Sequence, residues 1–266
     1  MSDRLLIDVV DHVAHVRLNR PAKLNALDFE MFHALNAAPA TIAAMDDVRA
    51  VVVSGEGKSF CSGLDVQSMM QSPEFFQKAF APVDGTSANF AQHAALGLGA
   101  LPMPVIAAIQ GHCFGGGLQI ALGADFRLMA DDADMSVMEI RWGIIPDMGI
   151  TAALRDIVAR DQVKELTMTG RVIGADEAHD LGLATRVCAD PVAEALVLAH
   201  EIAQQSPDAI RAAKRLFDEA WHGSVEEGLA LEARLQQTLL GRPAQMEAMQ
   251  AAFEKRLPEF GPAGSS

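Results

Sequence analysis

The sequence predicts an α/β fold, and three observations carry that prediction. Short stretches that alternate apolar and polar residues open the chain, the mark of half-buried strands. Two apolar runs, Arg49–Ser54 and Pro104–Ile109, each give way to a glycine-rich corner, as buried strands do at a turn. From Thr151 onward the apolar spacing is nearly all helical. With 266 residues, 50% of them hydrophobic, the chain suffices for one large domain or a core with an appendage.

The formal net charge of −14 argues against nucleic acid or an anionic membrane as a partner, though local Lys and Arg leave room for a small anionic ligand. Cys61, Cys113 and Cys188 have neither paired nor metal-like spacing, which predicts a reducing compartment and no metal. Met1–Leu6 lacks a signal-peptide core, and no apolar run approaches the ~18 residues of a membrane span. A cytoplasmic protein is expected.

Leu5–Val10 and Val13–Leu18 flank Asp11-His12 as a β-hairpin. His12 and His15 lie an odd number of residues apart, so they would not share a strand face as metal ligands and read as surface histidines. The polar loop Asn19–Leu27 follows. Asp28 is placed to cap a helix from Phe29 toward Ala44, which Pro39 should kink or split. Beyond the strand Arg49–Ser54, the stretch Gly55–Asp65 contains Gly57-Lys58-Ser59, but a phosphate loop would need a glycine where Val52 stands. No nucleophile elbow surrounds Cys61 or Ser62, so their backbone amides are the groups of interest. Between Met69 and about Leu96 the pattern dissolves into short helical pieces, broken by Pro73, Pro82 and Gly85. That predicts low local stability, in a lid or in a plain surface excursion.

The second glycine corner is Gln110–Gln119, where Gly115, Gly116 and Gly117 precede a helical start at Leu118–Leu122. Glycines there let a ligand approach main-chain amides, and amides at a helix start are unpaired and lie at the positive end of its dipole. Alone this is a tight strand–helix turn; beside the first corner it reads as a place to hold negative charge on an oxygen. Short strands at Ala124–Ala130 and Asp134–Met138 lead to Met138–Gly149, where Glu139 and Asp147 stand in an otherwise apolar stretch. Turns at Gly170–Gly174 and Leu181–Leu183 interrupt the helical pattern. Helices are then expected near 191–205, 208–221, 224–240 and 243–256. In the last, Met246, Met249, Phe253 and Leu257 form one stripe, read as a packing face. Without a repeat or linker, the simplest plan is a core over 1–200 and a helical region over 201–266.

Asn19–Leu27, Gly55–Asp65 with its Ser-Phe-Cys-Ser-Gly-Leu-Asp end, and Pro104–Gln119 with Gly-His-Cys-Phe-Gly-Gly-Gly together resemble the enoyl-CoA hydratase/isomerase (crotonase) family. Thr169-Gly170-Arg171 and Phe253-Glu254-Lys255-Arg256 agree, so the resemblance spans essentially the full chain. It implies a crotonase-like spiral of ββα units with a C-terminal helical trimerisation region, assembled as a homotrimer or hexamer. It also implies an acyl-CoA thioester substrate and no further cofactor. The backbone N–H groups that grip the thioester oxygen in the family fall here on Ser62 and Gly116. Cys61, Leu64, Asp65, Gly115 and Gln119 would surround the substrate, while Lys23, Lys58 and Lys255, with Arg20, would meet the CoA phosphates and adenine. A preorganised amide of this kind is worth roughly 3–4 kcal/mol to a developing oxyanion.

Hydratases of the family use two glutamates. One corresponds to Glu139; the other falls on Gln119, whose amide exchanges no proton at neutral pH. Dienoyl-CoA isomerases of the family carry a glutamate and, eight residues on, an aspartate, the spacing of Glu139 and Asp147, although they have an aspartate where Gln119 stands. The resemblance therefore implies an acyl-CoA double-bond isomerase. Enoyl-CoA hydratase is the alternative, and a non-catalytic acyl-CoA-binding member is a third. Asp147 also suits a turn after Pro146, and Glu139, expected on a strand, has an ion pair with Arg141 as its plain alternative.

Overall fold

The opening hairpin forms as its alternation predicts: β1 (Leu5–Val10) runs antiparallel to β2 (Val13–Leu18), with Leu5 opposite Leu18 and Val10 opposite Val13. Asp11 and His12 both take positive φ, as a two-residue hairpin turn requires. A computed structural model of the chain describes residues 3–264. The remaining strands are β3 (Ala50–Gly55), β4 (Val105–Ile109), β5 (His112–Phe114), β6 (Phe126–Ala130), β7 (Asp134–Ser136), β8 (Ile173–Gly174) and β9 (Arg186–Cys188). They build a six-stranded sheet in the order β1-β2-β3-β4-β6-β9, parallel beyond the hairpin, and a small sheet β5-β7-β8.

The helices are α1 (Phe29–Ala43), α2 (Val66–Met70), α3 (Pro73–Ala79), α4 (Phe90–Leu96), α5 (Gly116–Leu122), α6 (Ile150–Ala153), α7 (Arg160–Thr169), α8 (Ala175–Asp180), α9 (Pro191–Ala203), α10 (Pro207–Ala220), α11 (Val225–Leu239) and α12 (Pro243–Glu254). Asp28 caps α1 by accepting from the Met31 N–H at 2.9 Å. Pro39 does not split that helix: α1 runs through it, because buried Leu35, Ala38 and Ile42 hold both sides of one missing donor.

Alternate residues of the large sheet serve two cores. Val51, Val53 and Ala107 face the main core with α1, α4 and α5, while Ala50, Val52, Ile106 and Leu128 lie beneath α9. Ala195, Ala199 and Ala203, one turn apart on α9, present little bulk, so the helix sits close on the strands. His15, on this second face, is not a plain surface residue: it is half-buried, its Nε2 2.8 Å from Ser54 Oγ.

Residues 66–96 are better anchored than their broken pattern suggests. Phe75 packs against Phe32 (5.1 Å between ring centres) and edge-on to Phe29, Phe90 stacks on Phe32, and a reciprocal Asn89–Gln92 cap starts α4. These contacts join segments distant in sequence. The C-terminal helices are tied to the core by ions: Lys214 Nζ reaches Asp125 Oδ2 (2.7 Å) and the Gly99 carbonyl (2.8 Å), and Arg49 donates to the carbonyls of Ala203 and Phe260. The stripe Met246, Met249, Phe253 and Leu257 is not buried as a packing face: all four residues are exposed. No helix among the described residues is long and apolar enough to cross a membrane.

Candidate active site

Two strand-like segments run side by side into the site. Cys61 bridges to Cys113 in parallel, the Cys61 N–H donating to the His112 carbonyl and Phe114 N–H to the Cys61 carbonyl. Two residues further, each segment turns at a left-handed glycine, Gly63 (φ 90°) and Gly115 (φ 52°). The corners touch: a Cβ on Gly63 would lie 2.9 Å from the Phe114 carbonyl oxygen, so only glycine fits. The next residues are Leu64 and Gly116. Among the described residues Leu64 N–H has no acceptor, and Gly116, as the first residue of α5, has no carbonyl one turn earlier to receive its N–H.

The amide of Ser62 does not meet the expectation set for it. It donates to the Leu24 carbonyl at 2.9 Å, and the same loop is stitched on by Leu27 N–H to Gly63 and Asp65 N–H to Leu27. The unengaged pair is therefore Leu64 and Gly116, each directly after its turning glycine.

Glu139 lies not on a strand but at the start of a 3₁₀ turn, Glu139–Trp142, because the backbone tightens after β7. Its carboxyl is buried and rests over Gly115, where a Cβ would be 3.4 Å from Oε1. Gln119 Nε2 donates to that Oε1 at 2.7 Å, and Gln119 Oε1 accepts from Met148 N–H at 2.8 Å. Glu139 Oε2 is buried with no partner. Burial pushes the Glu139 pKa up, and the nearby Asp147 charge adds to the rise; hydrogen bonds from Gln119 and the backbone oppose it. Asp147 opens to the cavity, yet the apolar walls around its carboxyl raise its pKa as well.

Ser62, Leu64, Gly115, Gly116, Gln119, Glu139 and Asp147 all line one cavity of about 630 Å³. Its other walls were not singled out from the sequence: Phe75, Phe76 and Phe80 from α3 and its end, and Trp142, Ile144 and Ile145 between the two acids. Large apolar residues between the two acids were the available signal, since Trp142 and Ile145, like Phe80, are exposed and line this cavity.

Cys61 and Asp65 are not cavity residues. Cys61 is wholly buried, its thiol on the Asn25 carbonyl and its pKa pushed up to about 12 by burial, which leaves it inert. Asp65 caps α2 and pairs with Arg20 at 2.8 Å; burial alone would raise its pKa, but the Ser68 N–H and Arg20 hold it low. Arg20 also reaches Asp28 at 3.2 Å, so this cation belongs to the fold. Lys23, Lys58 and Lys255 lie outside the cavity lining. The Lys23 carbonyl accepts from Ser62 Oγ at 3.4 Å, whereas Lys255 ends α12 among the C-terminal helices.

Residues 9–263 match the family profile described as Enoyl-CoA hydratase/isomerase. The chain is 33% identical over 260 residues to a probable enoyl-CoA hydratase of Mycobacterium bovis, covering 97% of this chain and 98% of that protein. It is 36% identical over 268 residues to the mitochondrial Delta(3,5)-Delta(2,4)-dienoyl-CoA isomerase of Rattus norvegicus, covering 92% of this chain and 77% of that one. The crystal structure of an enoyl-CoA hydratase from Bacillus anthracis superposes with a TM-score of 0.88 at 30% identity, covering 97% of this chain and 98% of the other.

Proposed function

The chain belongs to the enoyl-CoA hydratase/isomerase family, and within it we infer an enzyme that moves a carbon–carbon double bond along an acyl-CoA thioester. One observation carries this reading: Glu139 and Asp147 face a single apolar cavity, while the position beside Glu139 holds the amide of Gln119. Two carboxyls with raised pKa values suit a relay in which one is ionised and the other protonated. The ionised carboxylate takes a proton from the acyl chain, and the electron pair moves into the conjugated thioester. The oxygen's charge is received by the N–H groups of Leu64 and Gly116. The protonated partner then returns a proton further along, the double bond settles in its new place, and no atom is gained or lost. No cofactor beyond the substrate enters this scheme.

Names of relatives support hydration as a second reading. Water addition calls for a second positioned acid–base group beside Glu139, where this chain has an amide. The exposed apolar residues of α10 and α12 support assembly as a homotrimer or hexamer, and bacterial relatives support a cytoplasmic location.

Glu139→Gln and Asp147→Asn are each expected to slow isomerisation of a 3-enoyl- or 3,5-dienoyl-CoA by about 10² or more, with acyl-CoA affinity nearly intact. In D₂O, deuterium entry into the acyl chain should fall in parallel. An Asp147→Asn enzyme at full rate would reduce Asp147 to a turn residue, and fast hydration of crotonyl-CoA by the wild type would bring the second reading forward.

A further inference from the structure

Gln119 is the buried polar residue that the relay above leaves without a task. Its side chain is 2% exposed, and both ends of its amide are committed. The NH₂ group faces the Glu139 carboxyl and the carbonyl faces the Met148 N–H. Exchanging the ends would set donor against donor and acceptor against carboxylate, so chemistry fixes the orientation. Among the described residues, Gln119 is the one side chain that hydrogen-bonds Glu139, and it binds only Oε1.

We propose that Gln119 is a positioning residue that sets the rotation of the Glu139 carboxyl and couples it to the backbone beside Asp147. Holding Oε1 also fixes the direction of Oε2, which is buried without a partner of its own. Gripping Met148 N–H fixes the loop that carries the second acid, so one amide governs the geometry between the two. This rests on reading the two acids as a proton relay. The neutral amide matters as much as its reach. A glutamate at this position would still accept from Met148 but would oppose carboxylate to carboxylate. The two would then share a proton and titrate as a pair. From the other packed elements, Asp147 is the charged group that acts on Glu139; α5 presents Gln119, and Gly170 after α7 packs on Ile140 and Arg141.

The test reads Glu139 directly. In protein carrying ¹³C-labelled glutamate, its carboxyl resonance is the one lost in Glu139→Gln, and it is titrated in the wild type, Gln119→Met and Gln119→Glu. Removing the donor in Gln119→Met should raise the Glu139 pKa by about one, the scale of a hydrogen bond to a charged group. The same variant should lose about tenfold in kcat with KM nearly unchanged. Gln119→Glu should titrate in two coupled steps and add an alkaline fall to the kcat profile, where both carboxyls ionise. Gln119→Asn, one methylene too short to reach both partners, should repeat the Met result in a more polar pocket. Glu139 titrating in Gln119→Met and Gln119→Asn as it does in the wild type would overturn the proposal. A wild type that isomerises nothing, with these pKa changes present, would leave the positioning role standing and remove the isomerase reading.

Discussion

The two glycine corners of the site are built alike and held differently. In each, a bridged cysteine is followed two residues later by a left-handed glycine and then by an N–H that the fold leaves unpaired. The first corner is fastened by a loop, through Ser62 to Leu24 and Leu27 to Gly63. The second is fastened by what it becomes, since Gly116–Leu122 is buried along its whole length. One amide is placed by hydrogen bonds between distant segments, the other by packing. Neither depends on the side chain of the residue that donates.

The sharpest way to separate the corners is to remove single N–H groups by amide-to-ester replacement. An ester at Leu64 is expected to lower kcat by about 10²–10³ while Tm barely moves, as the oxyanion role proposed for that donor requires. An ester at Ser62 should do the reverse, keeping kcat near normal and costing about 1 kcal/mol of stability through the lost bond to Leu24. Equal kinetic losses at the two positions would erase the distinction.

The next effect lies in the floor between the corners. A Cβ on Gly117 would stand 2.5 Å from the Cys61 carbonyl oxygen, backbone that cannot swing aside. Gly117→Ala should therefore destabilise the protein by about 1–3 kcal/mol in urea unfolding. On Gly116 the close neighbours are the ends of the flexible Leu27 and Met148 side chains rather than backbone, so Gly116→Ala should cost less.

The smallest effect concerns pH, and it belongs to the second corner, which carries the Glu139 carboxyl. That carboxyl binds its proton more tightly folded than unfolded, so its contribution is most favourable below the ordinary pKa of 4.5 and is lost as pH rises through the raised value. Glu139→Gln should thus unfold at higher urea than the wild type near neutrality, with the gap closing in acid. A gap that persists in acid would show that packing rather than charge sets it.

Much of the fold was legible because its signals are local. The hairpin register, the Asp28 cap and the four last helices follow from alternation, a capping residue and helical spacing. Glycine clusters likewise marked both corners, and the pair of acids stood out in an apolar stretch. What stayed hidden depends on contacts between distant residues. Ser62 reads as the oxyanion donor until the Leu24 carbonyl, 38 positions earlier, takes its amide and leaves that of Leu64. Gln119 reads as a missing acid until the Met148 N–H is seen across from it. The helices of 66–96 are held by rings from α1, which no periodicity within that stretch reveals.

Arg49 gives the molecule an order in time. Its guanidinium enters a buried place at the start of β3 and finds acceptors at Ala203 and at Phe260, 211 positions later. At roughly 5–20 residues added per second, the cation leaves the ribosome some 10–40 s before its last partner exists. Until then it must stay hydrated, because burying it without acceptors costs more than the closure returns. The segment around Phe260 thus acts as a latch on Arg49, and this side of the sheet is sealed only once residue 260 has been added.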